Sequence, residues 1–250
     1  MRLIDMTWEE VRDLAGSAPI ALLPAGAVEA HGPHLPLGTD VVIAEAMAAS
    51  AERRLEGQGR IVLVLPPLVY TTARFAADFP GTISVDPDLV TRLAVGVARS
   101  IARLGASVLA IANAHLEPAH LQALSAAAEA IRGELGLPVA FPDLTRPPWA
   151  LRLTDEFRSG ACHAGCYEGS IVLAARGDLV RDSIRQALPD HPVSLARAIR
   201  SGKTTFREAG GERAYFGFPA RASAEEGART IEILGGILAD AVAAEVAQRP

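Results

Sequence analysis

Short apolar runs alternate along the chain with stretches whose apolar residues recur at helical spacing. Strands are predicted at Ile20–Leu23, at Ile61–Leu65, from Ser107 and at Val139–Phe141. Such alternation is typical of βαβ units and of a mainly parallel sheet. Because the strands are continuously apolar, both faces of the sheet should be covered by helices. The pattern therefore predicts an α/β fold, and the absence of a linker or repeat predicts one domain over residues 1–250.

Capping residues mark the ends of several predicted helices. Thr7 and Glu10 can form a capping box for a short helix, Trp8–Leu14. Asp40 is a plausible N-cap for a helix running to about Leu55. Further helices are predicted from Asp86-Pro87 to about Leu104, over 118–134, near Glu168–Ala175 and from Ser223 to about Val246.

Metal-binding side chains are concentrated in the segment Gly26–Asp40, which follows the first predicted strand. Glu29, His31, His34 and Asp40 lie within this segment and are separated by glycines and prolines. Carboxylates and imidazoles are ligands that divalent first-row metals choose, and glycine and proline let a backbone fold tightly around an ion. The segment therefore predicts a metal site at the end of a strand, where open α/β sheets bind ligands.

A second group of such side chains follows the strand that begins at Ser107. His115 and Glu117 alternate as Glu29 and His31 do, so the members of each pair point the same way in extended chain. Both segments should emerge at one edge of a parallel sheet. Two carboxylate–imidazole pairs and a bridging Asp40 are enough to hold two ions. The alternative is that these residues are helix caps and hydrogen-bonded loop histidines.

The segment Gly26–Asp40 resembles the motif of the creatininase family of metal-dependent amidohydrolases. Further matches follow in the family's order, at Phe79–Ser84, Asn113–Glu117, His163–Ser170 and Pro219–Gly227. The resemblance implies a three-layer α/β/α fold with a mainly parallel central sheet. It also implies a homo-oligomer, since the family commonly forms hexamers.

The resemblance further implies two divalent ions per chain, zinc being expected and manganese or iron being alternatives. One ion would be held by Glu29, Asp40 and His115, and the other by His31, Asp40 and Glu117. His163 matches the family's active-site histidine and would protonate the leaving nitrogen. Glu117 would handle the proton of the attacking water, and Glu168 would orient His163 or the metal ligands, or else cap the helix that follows. His34 and His120 are expected to support the metal ligands or the fold rather than to bind metal themselves, and His191 is expected to lie on the surface.

Two substitutions distinguish the expected substrate wall from that of creatininase itself. The family's aromatic residue between the second histidine and glutamate is Leu116 here, and a tryptophan four positions before the active-site histidine is Ser159. The metal-binding residues are kept while the wall is changed. We therefore expect hydrolysis of an amide, with creatinine as a poor substrate.

The remaining composition excludes several classes of function. A net charge of -5 and the lack of a basic stripe argue against a nucleic-acid partner. No apolar run is long enough to span a membrane, and early acidic residues argue against a signal peptide, so a cytoplasmic location is expected. Cys162 and Cys166 are too few for a disulfide framework and are expected to pack as small apolar residues.

These observations predict a metal-dependent hydrolase of a C–N bond in a small cyclic or N-formyl amide. Three alternatives remain open at this stage. The chain could be a peptidase that trims a modified peptide, a hydrolase of a C–C bond in a cyclic diketone, or a non-catalytic metal- or ligand-binding protein. An intact His163 counts against the non-catalytic alternative.

Overall fold

The central sheet is parallel and lies between two layers of helices. The computed structural model describes residues 1–14 and 16–247, and within these residues four strands form one sheet of order β2-β1-β3-β4. The strands are β1 (Ile20–Ala25), β2 (Val62–Val64), β3 (Val108–Asn113) and β4 (Val139–Ala140). In register, Ile20 of β1 lies opposite Val62 of β2 and Val108 of β3. The predicted α/β class with a parallel sheet is confirmed.

The helices in the described residues are α1 (Trp8–Arg12), α2 (Thr39–Gly57), α3 (Pro87–Arg103), α4 (Pro118–Leu135), α5 (Asp155–Ser159), α6 (Cys166–Arg176), α7 (Asp182–Ala187), α8 (Leu195–Arg200) and α9 (Ala224–Ala247). Six of these helices, α1–α4, α6 and α9, lie close to predicted positions, whereas the short helices α5, α7 and α8 were not predicted. The capping box of Thr7 and Glu10 is present. Gly136 ends α4 in the left-handed region, with φ of 62°. In the part of the chain that is described, no helix has the length and apolar character needed to cross a bilayer.

Alternate residues of β1 pack into two separate cores, one on each face of the sheet. Ile20 and Leu22 pack with apolar residues of α2, α6 and α9. Ala21 and Leu23 point the other way and pack with residues of α3 and α4. Because both faces bury apolar side chains, every position of β1 is buried. The three-layer α/β/α architecture is thus confirmed.

The sequence predicted Asp40 as the N-cap of α2, and this prediction is wrong. The helix begins one residue earlier, at Thr39, and its N-cap is Gly38. The Thr39 hydroxyl donates a hydrogen bond to the Pro36 carbonyl, 2.7 Å away, and this bond stabilises Thr39 as the first residue of the helix. Asp40 therefore lies in the first turn, where the helix dipole favours a negative side chain. Its carboxylate is free of a capping role in this position.

Candidate metal centre

The carboxyl edge of the sheet brings the two predicted metal-binding segments together. β1 and β3 are hydrogen-bonded neighbours in parallel orientation, so the loops after them leave the sheet side by side. The loop after β1 also passes very close to the start of α2. A Cβ atom at Gly26 would lie 2.6 Å from the Val41 nitrogen. Only glycine fits there, and this close approach places Glu29 and Asp40 in one cluster.

One side of the cluster consists of Glu29, Asp40 and His115, all buried. Nδ1 of His115 lies 3.3 Å from Oε1 of Glu29 and 3.1 Å from Oδ2 of Asp40. The other ring nitrogen, Nε2, is 2.8 Å from the Thr72 carbonyl. Since a carbonyl oxygen only accepts, Nε2 carries a proton in this bond. In the neutral ring Nδ1 then presents a lone pair to the carboxylates, as a metal-binding imidazole does.

The other side consists of His31, Asp40 and Glu168, also buried. Nε2 of His31 lies 3.2 Å from Oδ1 of Asp40 and 3.6 Å from Oε2 of Glu168. Nδ1 of His31 is 3.1 Å from the carbonyl of Glu29, which fixes the ring in the same way. Asp40 is common to both groups and directs a different oxygen to each histidine.

The third member of this second group differs from the sequence expectation. The resemblance implied Glu117 there, whereas the structure places Glu168, from the first turn of α6, beside His31 and Asp40. The carboxylate of Glu117 instead accepts a hydrogen bond from the backbone N–H of Phe75, at 3.1 Å. Glu117 still borders the cavity above the cluster.

Charge in the cluster is balanced by protons on the imidazoles. Burial lowers the pKa of His31, but the carboxylates of Asp40, Glu168 and Glu29 outweigh it and raise that pKa to about 10. Burial also lowers the pKa of His115, but Glu29 and Asp40 outweigh it and raise that pKa well above the ordinary value. Burial would raise the pKa of Asp40, yet the two histidines hold it below its usual range.

Three fully buried polar atoms of the cluster make no hydrogen bond of good geometry among the described residues. Oε2 of Glu29 is one, and Nε2 of His31 and Oδ2 of Asp40 have only the ion-pair contacts described above. A buried polar atom without a partner is costly, and native structures almost always satisfy it. Divalent cations would satisfy these oxygen and nitrogen atoms and replace the imidazole protons. The donor set therefore fits the two ions that the sequence predicted.

His163 lies beside the cluster, in the loop before α6. Its ring centroid is 4.3 Å from those of His31 and Phe206, so the imidazole is held between the two rings. Nε2 lies 2.9 Å from the Ala30 carbonyl and so carries a proton, which leaves Nδ1 able to accept one. Burial and the nearby His31 lower the pKa of His163 to about 4. The ring is therefore neutral at neutral pH.

A cavity of about 740 Å³ opens above the cluster. Its floor contains Glu29, Asp40, His115, His163 and Glu168, and its outer part reaches Glu129 and the arginines Arg146, Arg158 and Arg200. Leu116 lines the cavity, as predicted, but Phe75 and Phe206 also line it. These aromatic residues were missed because they come from irregular segments distant in sequence from the metal-binding motifs.

The remaining histidines and the two cysteines lie outside the two groups that share Asp40. Nε2 of His120 bonds to Oδ1 of Asn113 at 2.9 Å, and His34 is buried against Tyr215. His191 does not lie on the surface as predicted, because it is half-buried and packs against Phe216. Cys162 lines the cavity, whereas Cys166 is buried and lies 3.4 Å from Glu226.

Comparisons with known proteins agree with this arrangement. The family model described as "Creatininase: Creatinine amidohydrolase" matches residues 4–242. A mycofactocin precursor peptide peptidase of Mycolicibacterium smegmatis is 30% identical over 224 residues, which cover 87% of this chain and 82% of that protein. A creatinine amidohydrolase of Pseudomonas putida is 29% identical over 236 residues, covering 82% and 88%. A solved structure described as "Creatininase Mn" superposes with a TM-score of 0.78 at 25% identity, covering 98% of each chain.

Proposed function

The chain belongs to the creatininase family, and on that premise we propose that it hydrolyses an amide C–N bond at a centre of two divalent metal ions. The observation that carries the proposal is the pair of buried three-residue groups that share Asp40. A single structural ion would need only one such group. Two groups joined by one carboxylate, open to a large cavity, are typical of a catalytic dinuclear site.

The ligands of each ion follow from the two groups. We assign Glu29, Asp40 and His115 to one ion, and His31, Asp40 and Glu168 to the other. Carboxylates and imidazoles suit zinc, manganese and iron, with zinc or manganese favoured. When bound, such ions supply Lewis-acid activation of water and of the amide carbonyl.

Proton transfer would be carried out by Glu117 and His163, which border the cavity but lie outside the two ligand sets. Burial raises the pKa of Glu117, which suits a carboxylate that accepts a proton from the attacking water. His163 holds one proton at Nε2 against the Ala30 carbonyl, and its Nδ1 can receive a second. A proton received at Nδ1 can then pass to the leaving nitrogen.

Two substrate classes fit this chemistry, and the cavity favours the larger one. A small cyclic or N-formyl amide needs little more than the floor of the cavity. A volume of about 740 Å³ lies in the range of sites that take extended, drug-sized ligands. The mycofactocin precursor peptide peptidase covers most of this chain at 30% identity. We therefore favour a short peptide as substrate, with the small amide as the second candidate.

The proposal is tested first by metal content and turnover together. Protein reconstituted with zinc or manganese should bind about two ions per chain, as measured by elemental analysis. The loaded protein is then assayed on short peptides, cyclic amides, formamides and a cyclic diketone. Folded protein with much less than one ion per chain would remove the basis of the proposal. Two ions without turnover of any amide would favour the non-catalytic alternative, and turnover of the diketone alone would favour C–C hydrolysis.

Asp40→Asn provides the sharper test because Asp40 is shared by both groups. We expect this variant to lose both ions and all activity while it stays folded, since Asp40 has no capping role. Metal content and Tm are measured on the same sample. The matched control is Glu45→Gln, an exposed carboxylate on the same helix, which should keep both ions. A loss of about 1 kcal/mol of stability with both ions retained would make Asp40 a helix-terminal residue only.

A further inference from the structure

A buried carboxylate on α5 lies outside both ligand groups and outside the proton-transfer pair. Glu156 is 8% exposed, and its two oxygens accept three backbone hydrogen bonds. The donors are the N–H groups of Cys166 at 2.8 Å, Tyr167 at 2.5 Å and Phe218 at 2.7 Å. Among the described residues, the strongest influences on the pKa of Glu156 are burial, which raises it, and these backbone donors, which lower it, with no cationic side chain among them. Backbone N–H groups therefore provide its hydrogen-bond partners.

Two glycines, Gly165 and Gly217, allow the surrounding backbone to approach this carboxylate closely. A Cβ atom at Gly165 would lie 2.6 Å from Oε1 of Glu156, and one at Gly217 would overlap the same oxygen. Gly217 also has φ of +92°, in the left-handed region that favours glycine. Both chain segments thus pass directly against the carboxylate. The two segments contribute only backbone atoms to this contact, and Glu156 contributes its side-chain carboxylate.

Two of the three donors are the first N–H groups of α6. The N-cap of this helix is Gly165, which has no side chain to satisfy them. Glu156 does so from another helix, where its negative charge also suits the positive end of the helix dipole. The third donor, Phe218, belongs to the segment that runs past the loop before α6. That segment is also tied to the loop by a bond from the Phe216 N–H to the His163 carbonyl, at 2.7 Å.

The residues positioned by this arrangement are those that we assign to the site. Glu168 lies in the same first turn of α6, two residues after Cys166, and His163 lies three residues before Cys166. The Glu168 carboxylate also accepts a hydrogen bond from the Ala164 N–H, at 2.6 Å, so the loop and the helix start form one unit. A small rotation of the first turn would move the Glu168 oxygens away from His31 and Asp40.

We infer that Glu156 is a positioning residue: by tying the start of α6 to the 216–218 segment, it holds Glu168 at the second ion and His163 at the cavity. The inference rests on the proposed function, since it concerns the second ligand group. It predicts that loss of Glu156 weakens the binding of one ion and not of the other. Glu29, Asp40 and His115 do not belong to the loop before α6 or to its first turn, so the first ion should not depend on Glu156.

The test is a zinc titration of the full-length protein, in competition with a chromophoric chelator, for wild type and Glu156→Gln. Glutamine keeps the size of the side chain but presents an NH₂ group to backbone donors. We expect the affinity for one ion to fall about ten- to a hundredfold, the usual effect of losing a supporting contact around a metal ligand. The affinity for the other ion should stay within about threefold of wild type. Glu156→Asp keeps the charge with a shorter reach and should restore part of the lost affinity.

Two control variants separate positioning from general destabilisation. Asp155→Asn removes an exposed carboxylate next to Glu156 that pairs only with Arg158 among the described residues. Leu55→Ala opens the core at the far end of α2 and should lower Tm while both zinc affinities stay unchanged. If Glu156→Gln does not yield folded protein, Glu156→Asp carries the comparison.

The outcomes distinguish the inference from the proposed function. Loss of affinity for one ion supports the inference. Unchanged affinity for both ions, or equal weakening of both, overturns it while wild type still binds two ions. Wild-type protein that itself binds fewer than two ions overturns the proposed function, and the inference falls with it.

Discussion

The histidines around the centre share one arrangement at the level of single residues. In His31, His115 and His163, one ring nitrogen faces a backbone carbonyl, that of Glu29, Thr72 or Ala30. The carbonyl can only accept, so it determines which nitrogen carries the proton. The other nitrogen is left for a carboxylate, an ion or a substrate proton. The backbone of two loops, one after β1 and one after β2, thus determines which nitrogen of each ring is protonated.

His163→Ala tests the proton-transfer role of one of these rings. The variant should keep two ions and the fold, because His163 is not needed to complete either ligand group that shares Asp40. Its kcat on a peptide substrate should fall by roughly 10²–10⁴, the usual contribution of a positioned proton donor. His163 also lies within a third group with Glu29 and His31. Loss of an ion in the variant would therefore make it a ligand, and normal turnover would exclude it as the acid.

His34 should contribute to acid sensitivity because it is buried without a charge partner. Burial, and then the nearby Arg185, lower its pKa to about 4, whereas in the unfolded chain a histidine titrates near 6.5. Between these values the unfolded state binds the extra proton, so stability falls as the pH falls from about 6.5 to about 4.

The corresponding experiment compares wild type with His34→Gln by urea unfolding at a series of pH values, both without metal. Other groups titrate equally in the two proteins, so the difference in slope isolates His34. The variant should lose less stability on acidification, by up to about 1.4 kcal/mol per pH unit. Parallel curves for the two proteins would show that His34 does not titrate as proposed.

At the level of secondary structure, α9 joins the parts of the layer that carries the centre. It packs against both α2, which bears Asp40, and α6, which bears Glu168. Two glycines allow the close approach. A Cβ atom at Gly227 would overlap the backbone of Ser170 on α6, and one at Gly235 would overlap Ser50 on α2. The distance between helices is therefore set by the absence of side chains at these two positions.

Alanine substitution of helix glycines should have opposite effects at different positions. Gly235→Ala forces a methyl group against Ser50, including its backbone, and should destabilise the protein by about 1–3 kcal/mol. Gly133→Ala on α4 meets no atom within 4 Å and should stabilise by roughly 0.5–1 kcal/mol, because alanine is the better helix former. Urea unfolding of both variants measures the contrast. Equal effects would mean that the α2–α9 contact can relax at little cost.

At the level of the whole molecule, the cavity is lined by segments that are far apart in the chain. The floor comes from the loops after β1 and β3 and the start of α6, while Phe75, Phe206 and residues of α4 and α8 form the sides. Leu116 occupies the position where creatininase itself is expected to have an aromatic residue. Ser159 instead bonds to the Glu156 carbonyl and presents no ring. Neither residue therefore offers an aromatic ring to a flat substrate.

Creatinine should accordingly be a poor substrate. Each lost aromatic contact is worth about 1 kcal/mol beyond its buried area, so two losses should reduce kcat/KM for creatinine by roughly thirtyfold relative to an enzyme that has both. The measurement is kcat/KM for creatinine and for peptides in parallel, with one metal loading for all assays. Creatinine hydrolysis as efficient as that of the best peptide would show that Leu116 and Ser159 do not decide the substrate.

Short-range pattern was enough to predict the sheet and which loop side chains meet at its edge. The apolar runs at β1 and β3 place Glu29, His31, His115 and Glu117 just past two strand ends. Parallel pairing then brings these residues to one edge, which follows from strand direction alone. The structure does bring Glu29, His31, Asp40 and His115 together. Their roles as ligands remain predictions until metal is measured.

What only the tertiary structure decided is the contribution of α5 and α6. Glu168 and not Glu117 joins His31 and Asp40, and Glu156 reaches the first turn of α6 from a different helix. Neither fact has a local pattern in the sequence, because α6 reaches the centre through its packing against α2 and α9. Strand periodicity specifies where a chain leaves a sheet, but the position of a helix is set by the side chains and glycines of its neighbours. Those contacts join residues that are far apart in sequence, and they exist only once the layers have packed.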